Sequence, residues 1–472
     1  MGLIARIAAA LVSGGLLAQV YGLHPLWPLA WIAPIPLLIA SYGASRVVAF
    51  VLGALAGLLS TGGMFAYLLS LGGPVPLAIV VALKAVCWGA LALAARGAAW
   101  RLPNLAAAFV FPSLFAAIET IIAQVSPHGS ASSIAYSQMD FLPAIQSAAL
   151  GGAPAVAFLI ALFASAVSLA VWKRDPVVAI TPVLIVGAVL AWGWTRFPAP
   201  AAPNESRTLR VAVLADDQFN AQGIPRDWRP IWSAYAPQIE RAAANDHRIV
   251  LLPEKIAFLS EQQRDAAIGA FSALARQHDI VIVAGFDVAV GDKRYNRAYV
   301  FRPDEETIAY DKRHMVPGFE SYFELGTGPL TFERGSARLG VAICKDMDFP
   351  ELGRNYPGAR LMLVPAWDFG VDRWLHSRMA ILRGVENGYT IVRSARDGML
   401  TVSDRYGRVI AETPSAARAV LEADAPLGAP GPTLYERIGD AFGWACAALF
   451  ALLLGWSLMP RKSDGEEGAN AD

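Results

Sequence analysis

Charge is almost missing from the first 200 residues of this 472-residue chain: eleven Lys, Arg, Asp and Glu fall there, against 67 in the remaining 272. That scarcity excludes a single water-soluble domain, where about one residue in four is charged, and it excludes a disordered chain, which needs high charge and low hydrophobicity. The chain also lacks any charge of one sign in excess, with 39 basic and 39 acidic side chains. No surplus is left to neutralise phosphates, so a nucleic-acid binder is excluded. Cysteine is scarce too. Of three, Cys87 and Cys446 fall in apolar runs, and Cys344 stands alone in the polar part, with no partner for an intradomain disulfide. No cluster of ligand side chains at metal-binding spacing is present, and no metal is expected.

What is there, in place of charge, is apolar length. About 20 apolar helical residues cross a bilayer core of ~30 Å. Eight segments meet that requirement: 3–23, 27–43, 46–71, 74–95, 104–125, 152–172, 177–195 and, far downstream, 439–459. Residues 1–20 carry Arg6 before an apolar run, as a signal peptide does, but further apolar spans follow at once and the small-residue cleavage pattern is poor, so an uncleaved first helix is expected. Arg6, Arg46, Arg96, Arg101, Lys173, Arg174, Arg461 and Lys462 all fall at alternate turns, and the intervening loops hold no Lys or Arg. The positive-inside rule then puts both termini in the cytoplasm and residues 200–436 outside. Lys84 and Glu119 stand at membrane depth, where charges are costly and often functional; they either pair with each other or, for Lys84, reach toward an interface. The outer loop 126–143 is polar, and its Tyr136-Ser137-Gln138 is placed to line an entry to the outer domain.

The charged remainder alternates short Val/Ile/Leu-rich runs (209–215, 249–252, 280–284, 298–301, 339–343, 361–364, 389–393) with helical patterns (229–245, 261–278, 373–386). Strand–helix alternation predicts an α/β sandwich with its sheets covered by helices. Pro- and Ala-rich stretches at 197–203 and 425–432 read as linkers out of and back into the membrane, and the tail from Arg461 as polar and disordered. The expected organisation is a seven-helix domain over 1–200, an α/β domain over 201–432, an eighth membrane helix over 433–460 and a short cytoplasmic tail over 461–472.

Cys344 ends an apolar strand, Gly340-Val-Ala-Ile-Cys344, and enters the polar turn Lys345-Asp-Met-Asp-Phe-Pro-Glu351. A thiol at such a strand end is exposed to attack a carbonyl, and backbone N–H groups just after it can face an oxyanion. Leu251-Leu-Pro-Glu254 follows a second strand, and Tyr310-Asp-Lys312-Arg-His314 a hairpin-like segment. These three elements, in this order, resemble the nitrilase (carbon-nitrogen hydrolase) superfamily. Together with the apolar spans they resemble its membrane-bound branch, the apolipoprotein N-acyltransferase family. The likeness extends to Tyr136-Ser137-Gln138, to Val316-Pro317 followed by Glu320, and to His376-Ser-Arg-Met379-Ala380.

The resemblance implies an α-β-β-α sandwich on the outer face of a bacterial inner membrane, carrying a Glu254–Lys312–Cys344 triad. Glu254 would act as general base, Lys312 would stabilise the oxyanion with the N–H of Lys345, and Glu320 would orient Lys312. Tyr136, Gln138, Trp367 and His376 become candidate substrate contacts. The implied reaction uses a phospholipid acyl donor and a diacylglyceryl apolipoprotein acceptor, with a thioester on Cys344 between the two and no cofactor, in a monomer. The chain departs from the family around the cysteine. Leu252 replaces the Trp before Pro253-Glu254, and Lys255 follows them. Lys345-Asp346 replaces Tyr-Glu. Gly318-Phe319 is inverted, and the Asn-Asp before Ala366-Trp367 is absent. Two other readings therefore stay open: an amidase or acyltransferase with a different acceptor, and a membrane scaffold or transporter without catalysis.

Overall fold

The computed structural model describes residues 1–197, 208–427 and 431–459. Apart from Phe197, the linker expected at 197–203 lies outside the described residues, as does the tail from Arg461.

Seven helices among the described residues are long and apolar enough to cross a membrane: Leu3–Val20, Arg46–Gly72, Pro74–Arg101, Asn104–Val125, Ala153–Lys173, Val177–Thr195 and Ala441–Leu458. The expected span at 27–43 is instead two short helices, Trp27–Ile32 and Pro34–Tyr42. Pro34 has no N–H to continue the preceding ladder, and its ring fixes the backbone for a fresh first turn. Close helix approach comes from small residues. A Cβ at Gly53 or Gly57 would stand 2.3 Å from the Trp88 carbonyl oxygen or 2.4 Å from that of Lys84, so only glycine permits this contact. Lys84 and Glu119 form no ion pair within 4 Å among the described residues: the Lys84 ammonium lies 3.4 Å from the centre of the Tyr21 ring, and Glu119 accepts the Ile134 N–H at 3.2 Å.

The two ends of the bundle differ. At one, Arg6 and Arg96 donate to the carbonyls of Gly43 and Ala44, each at 2.7 Å. The other end meets the α/β part. There the Tyr67 hydroxyl donates to Asp372 at 2.6 Å, Ser130 to the Asp348 carbonyl at 2.8 Å, Gln146 to the Tyr406 carbonyl at 2.9 Å and the Ala153 N–H to Glu386 at 2.9 Å.

The α/β part has thirteen strands among the described residues. The first six are β1 (Thr208–Ala215), β2 (Ile249–Leu251), β3 (Phe258–Leu259), β4 (Val281–Val290), β5 (Lys293–Phe301) and β6 (Ile308–Asp311). The others are β7 (Leu330–Arg334), β8 (Ala337–Val341), β9 (Leu361–Trp367), β10 (Thr390–Arg396), β11 (Met399–Ser403), β12 (Val409–Pro414) and β13 (Ala419–Pro426). One sheet runs β13-β1-β2-β4-β5-β6, with β3 beside β4, and the other β12-β11-β10-β9-β8-β7. The stretch read as a linker at 425–432 therefore begins inside a strand: Ala425 pairs with Leu209 and Pro426 with Thr208. Proline is tolerated there because it closes an edge strand.

Side chains alternate across the sheets with period two. On β1, Val211, Val213 and Ala215 enter the core between the sheets, whereas Ala212 and Leu214 face the helices Trp228–Ala244 and Glu261–His278. Each such buried Val or Leu contributes roughly 1.5–3 kcal/mol. The outer face of the second sheet packs on the helix Arg373–Asn387 through Ala380 and Ile391. This gives the expected α-β-β-α layering. The same helix sends Leu375, Met379, Leu382 and Val385 into the core of the membrane bundle, and every residue from Ser377 to Asn387 is buried. It is a wall common to both halves.

Candidate active site

Three strand ends converge where the sequence placed its chemistry. Glu254 lies three residues past β2, Lys312 one past β6 and Cys344 three past β8. The Glu254 N–H donates to the Ala366 carbonyl of β9 at 3.3 Å, and the Lys312 N–H to the Asn296 carbonyl of β5 at 2.9 Å, so pairing between and within the sheets fixes both backbones. Cys344 opens a short 3₁₀ turn, Cys344–Asp348, with φ +45°. A non-glycine residue in this left-handed region is strained by about 1–3 kcal/mol, and such strain concentrates at functional sites.

The Lys312 ammonium donates to Glu254 Oε1 at 2.9 Å and to Glu320 Oε2 at 2.7 Å, with all three side chains almost wholly buried. Glu320 Oε2 also accepts the Val316 N–H at 2.9 Å. Asn296 Nδ2 bridges the carboxylates, at 2.5 Å from Glu254 Oε1 and 3.0 Å from Glu320 Oε1. Lys255 donates to Glu320 Oε1 and lies 3.5 Å from Glu254 Oε1. Glu254 Oε2 is the one carboxylate oxygen of the cluster left buried without a partner. Burial alone would lower the Lys312 ammonium, but Glu254 and Glu320 outweigh it and hold it well above its usual range. Burial would likewise raise Glu320, but Lys312 and Lys255 hold it well below the usual carboxylate range. Burial, then the nearby Glu254 charge, pushes the Cys344 thiol well up, so it rests as the neutral thiol.

The cysteine turn is tied down by Asp346, whose fully buried carboxylate accepts the N–H groups of Ile343, Arg313 and His314 at 2.9–3.1 Å and the Tyr310 hydroxyl at 2.7 Å. One residue thus binds the turn carrying Cys344 to the loop carrying Lys312. Beside the thiol, the Trp367 carbonyl lies 3.6 Å from Sγ, and the Trp367 ring stacks 3.8 Å from the Arg396 guanidinium. Asp368 and Arg393 form a buried two-pronged pair at 2.5 and 2.9 Å. His376 stands 3.4 Å from both Asp368 and Asp372. Burial opposes its charge, but the two carboxylates win and raise it to about 9.

Glu254, Lys312 and Glu320 therefore form one hydrogen-bonded cluster, with Cys344 within its electrostatic reach. The other candidates lie around it. The Lys345 ammonium turns aside to His128 and Asp348, at 3.2 Å from each. The Tyr136 hydroxyl meets Ser130 at 2.6 Å and Arg383 at 3.3 Å, on the seam between the bundle and the α/β part. The Gln138 amide is held by Trp31, Trp27 and Ser137 inside the bundle. Trp367 borders the thiol, and His376 is joined to the site through Asp368. Sequence reasoning did not single out Asn296, Asp346 or Arg393 for the site. Asn296 lies 42 residues from Glu254 and carries no local signal; Asp346, two residues after the cysteine, was the one within reach of a motif.

Two family models match the chain: the apolipoprotein N-acyltransferase N-terminal domain over residues 13–166 and the carbon-nitrogen hydrolase over 218–433. The chain is 29% identical to an apolipoprotein N-acyltransferase of Geobacter metallireducens over 93% of its own length and 92% of that protein's. It is 31% identical to one of Rhodopseudomonas palustris, over 37% of each chain. Among solved structures, an amidase of Nesterenkonia sp. AN1 matches 50% of this chain and 97% of its own, at 23% identity and a TM-score of 0.44. With its membrane segment and its α/β segment each matched, and one relative aligned over more than nine-tenths of both chains, this chain is similar through most of its length to the apolipoprotein N-acyltransferases and, in its α/β segment, to the carbon-nitrogen hydrolases.

Proposed function

We propose that this protein transfers an acyl chain from a phospholipid to the α-amine of the diacylglyceryl-cysteine that begins an apolipoprotein, by way of a thioester on Cys344. The observation that carries the mechanism is the unpartnered Glu254 Oε2 on a carboxylate that acts electrostatically on a thiol that burial keeps neutral. A neutral thiol needs a base at the moment of attack. Glu254 takes the Sγ proton as sulfur bonds the ester carbonyl carbon. Lys312 and the N–H of Lys345, at the open start of the 3₁₀ turn, face the developing oxyanion. When the carbon–oxygen bond breaks, the lysophospholipid leaves with the proton from Glu254. In the second half the amine attacks the thioester and gives its proton to Glu254. The thiolate leaves and is reprotonated. An amide and a free thiol remain, and no redox or metal step is needed.

The membrane bundle suits this donor. A phospholipid ester reaches the thiol from the leaflet against which the α/β part rests, and the basic turns lie at the opposite end of the bundle. By the positive-inside rule those turns are cytoplasmic, which puts the α/β part on the outer side of the bacterial inner membrane. On this reading the chain is organised as a seven-segment membrane domain over 1–200, an α/β catalytic domain over 201–432, a last membrane span over 433–460 and a short cytoplasmic tail over 461–472.

The test is mass spectrometry of Cys344 after incubation with phospholipid, and then with a diacylated lipopeptide. The expected result is an acyl adduct that disappears as N-acyl lipopeptide forms. Release of free fatty acid alone, with no N-acylated product, would sink the transferase reading in favour of a membrane-tethered amidase.

A further inference from the structure

A second ammonium stands in this site that the triad does not use. Lys255 follows the base Glu254 directly, and its side chain is nine-tenths buried. Its backbone is in the left-handed region, with φ +49°. A lysine gains nothing locally from that conformation, and the surrounding structure imposes it. The Pro253 carbonyl accepts the Gly285 N–H at 3.0 Å, Ile256 N–H donates to the Gly285 carbonyl at 2.8 Å, and Arg396 donates to the Lys255 carbonyl at 2.7 Å. These bonds turn the side chain inward rather than into solvent. It ends against Glu320 Oε1, between the rings of Trp367 at 5.3 Å and Phe323 at 5.8 Å.

We infer that Lys255 is a positioning residue of the acyl-transfer site: its ammonium holds one oxygen of Glu320 so that the other aims Lys312 at Glu254, and it brings the buried cluster to zero net charge. The inference rests on the proposed acyl-enzyme chemistry. Without Lys255, Glu254 and Glu320 would face Lys312 alone. The cluster would carry one uncompensated negative charge beside a thiol that has to give up its proton. Like charges held this close in a low-dielectric interior disfavour each other's ionised form, and a buried carboxylate without its counter-ion takes up a proton instead. With Lys255 present, both oxygens of Glu320 are committed: Oε1 to Lys255 and Asn296, Oε2 to Lys312 and the Val316 N–H. Glu320 then has no oxygen left to compete with Glu254 for the thiol proton, and Glu254 Oε2 is the only carboxylate oxygen of the cluster left open.

The direction with pH follows from the same contacts. Lys255 is one of two cations that hold Glu320 below the usual carboxylate range, so removing it moves the carboxylate upward. The groups facing this pair are Glu254, Asn296, Lys312, Tyr322 and Asp287, with Arg294 beyond them. None supplies a replacement ammonium at Glu320 Oε1.

The experiment follows the rate of acyl-Cys344 formation against pH in the full-length protein, in detergent with phospholipid, for wild type, Lys255→Met, Lys255→Arg and the double variant Lys255→Met/Glu320→Gln. Expected are a fall of about ten- to a hundredfold for Lys255→Met, with the acid limb of its profile displaced to higher pH, and partial recovery in the double variant, whose cluster is neutral again. Lys255→Arg, which restores the charge, should keep the wild-type limb. An unmoved acid limb in Lys255→Met overturns the inference, as does a double variant slower than Lys255→Met. Absence of any acyl adduct in wild type would instead overturn the acyl-enzyme reading itself.

Discussion

Replacing Lys312 by Met removes the ammonium on which the whole site is built. Two charge-assisted hydrogen bonds, at 2.9 and 2.7 Å, disappear, and the carboxylates they served are only 1% and 3% exposed. Breaking a buried pair from one side typically costs about 3–5 kcal/mol, because the remaining charge has no solvent to turn to. The protein avoids much of that by protonating a carboxylate, and a protonated Glu254 cannot accept the thiol proton. Loss of the base contributes about 10²–10⁴ in rate, and loss of an oxyanion partner about 10²–10³. Such terms are not additive in a coupled site, so the expected fall in acyl-Cys344 formation is at least about a hundredfold. Lys312→Arg should not restore it, since a planar fork does not fit a seat shaped for a compact ammonium bridging two oxygens. The assay is timed mass spectrometry of Cys344 with phospholipid, alongside thermal melting in detergent to show that the variant is folded. A folded Lys312→Met that forms the adduct at the wild-type rate would refute the role assigned to Lys312 and the electrostatic account of the cluster with it.

Other consequences can be measured separately. His376, raised to about 9 by Asp372 and Asp368, adds stability that is full below its unfolded value of about 6.5 and is lost as pH rises through 9; melting temperatures should fall over that window in wild type and stay flatter in His376→Gln. Tyr67→Phe removes a hydrogen bond to the buried Asp372 carboxylate, a contact to a charged group worth roughly 1.5–3 kcal/mol, and should lower the melting temperature without changing the acyl adduct's mass. Cys344→Gly should be more stable than Cys344→Ala by about 1–2 kcal/mol, because only glycine takes φ +45° freely; equal stability in denaturant titration would contradict strain at the nucleophile. In an Asp265→Cys variant, whose new thiol stands on an exposed helix face of the α/β part, an impermeant thiol reagent should label intact spheroplasts, and a lack of labelling would contradict the outward placement of the α/β part.

The sequence was most informative where one physical term dominates. Helices without charge have to be covered by lipid or protein, and their ends came out within three residues, apart from the helix Pro74–Arg101, which runs six residues past the expected end at 95, and the break at Ala33–Pro34 where two prolines stand close together. Buried strands such as β1, β4 and β9 were legible as Val/Ile/Leu runs. The edge strands β7, β12 and β13 were not, because half of each faces solvent and its residues read as loop; in β13 the terminal Pro426 outweighed the pairing with β1. In the site, motifs pointed to Glu254, Lys312, Glu320 and Cys344, each next to a strand end or a Pro-containing turn. Asn296 and Arg393 lie within strands, and what they do depends on which strand lies opposite, which one sequence does not state. Lys255 was visible as a departure, but its meaning needed the backbone turn that points it inward.

From Ser377 onward the helix Arg373–Asn387 has no outside. One flank packs on β10 and β11 and the other on the bundle, and Glu386 reaches from it to the first turn of Ala153–Lys173. The half of this chain that composition marks as water-soluble is therefore not severable. Cut free at its linkers, it would present Leu375, Met379, Leu382 and Val385 to solvent and strip Glu386 of the Ala153 N–H that it accepts. In a chain built this way the α/β half is a tenant of the bundle, and making it stand alone would require a different face on this one helix.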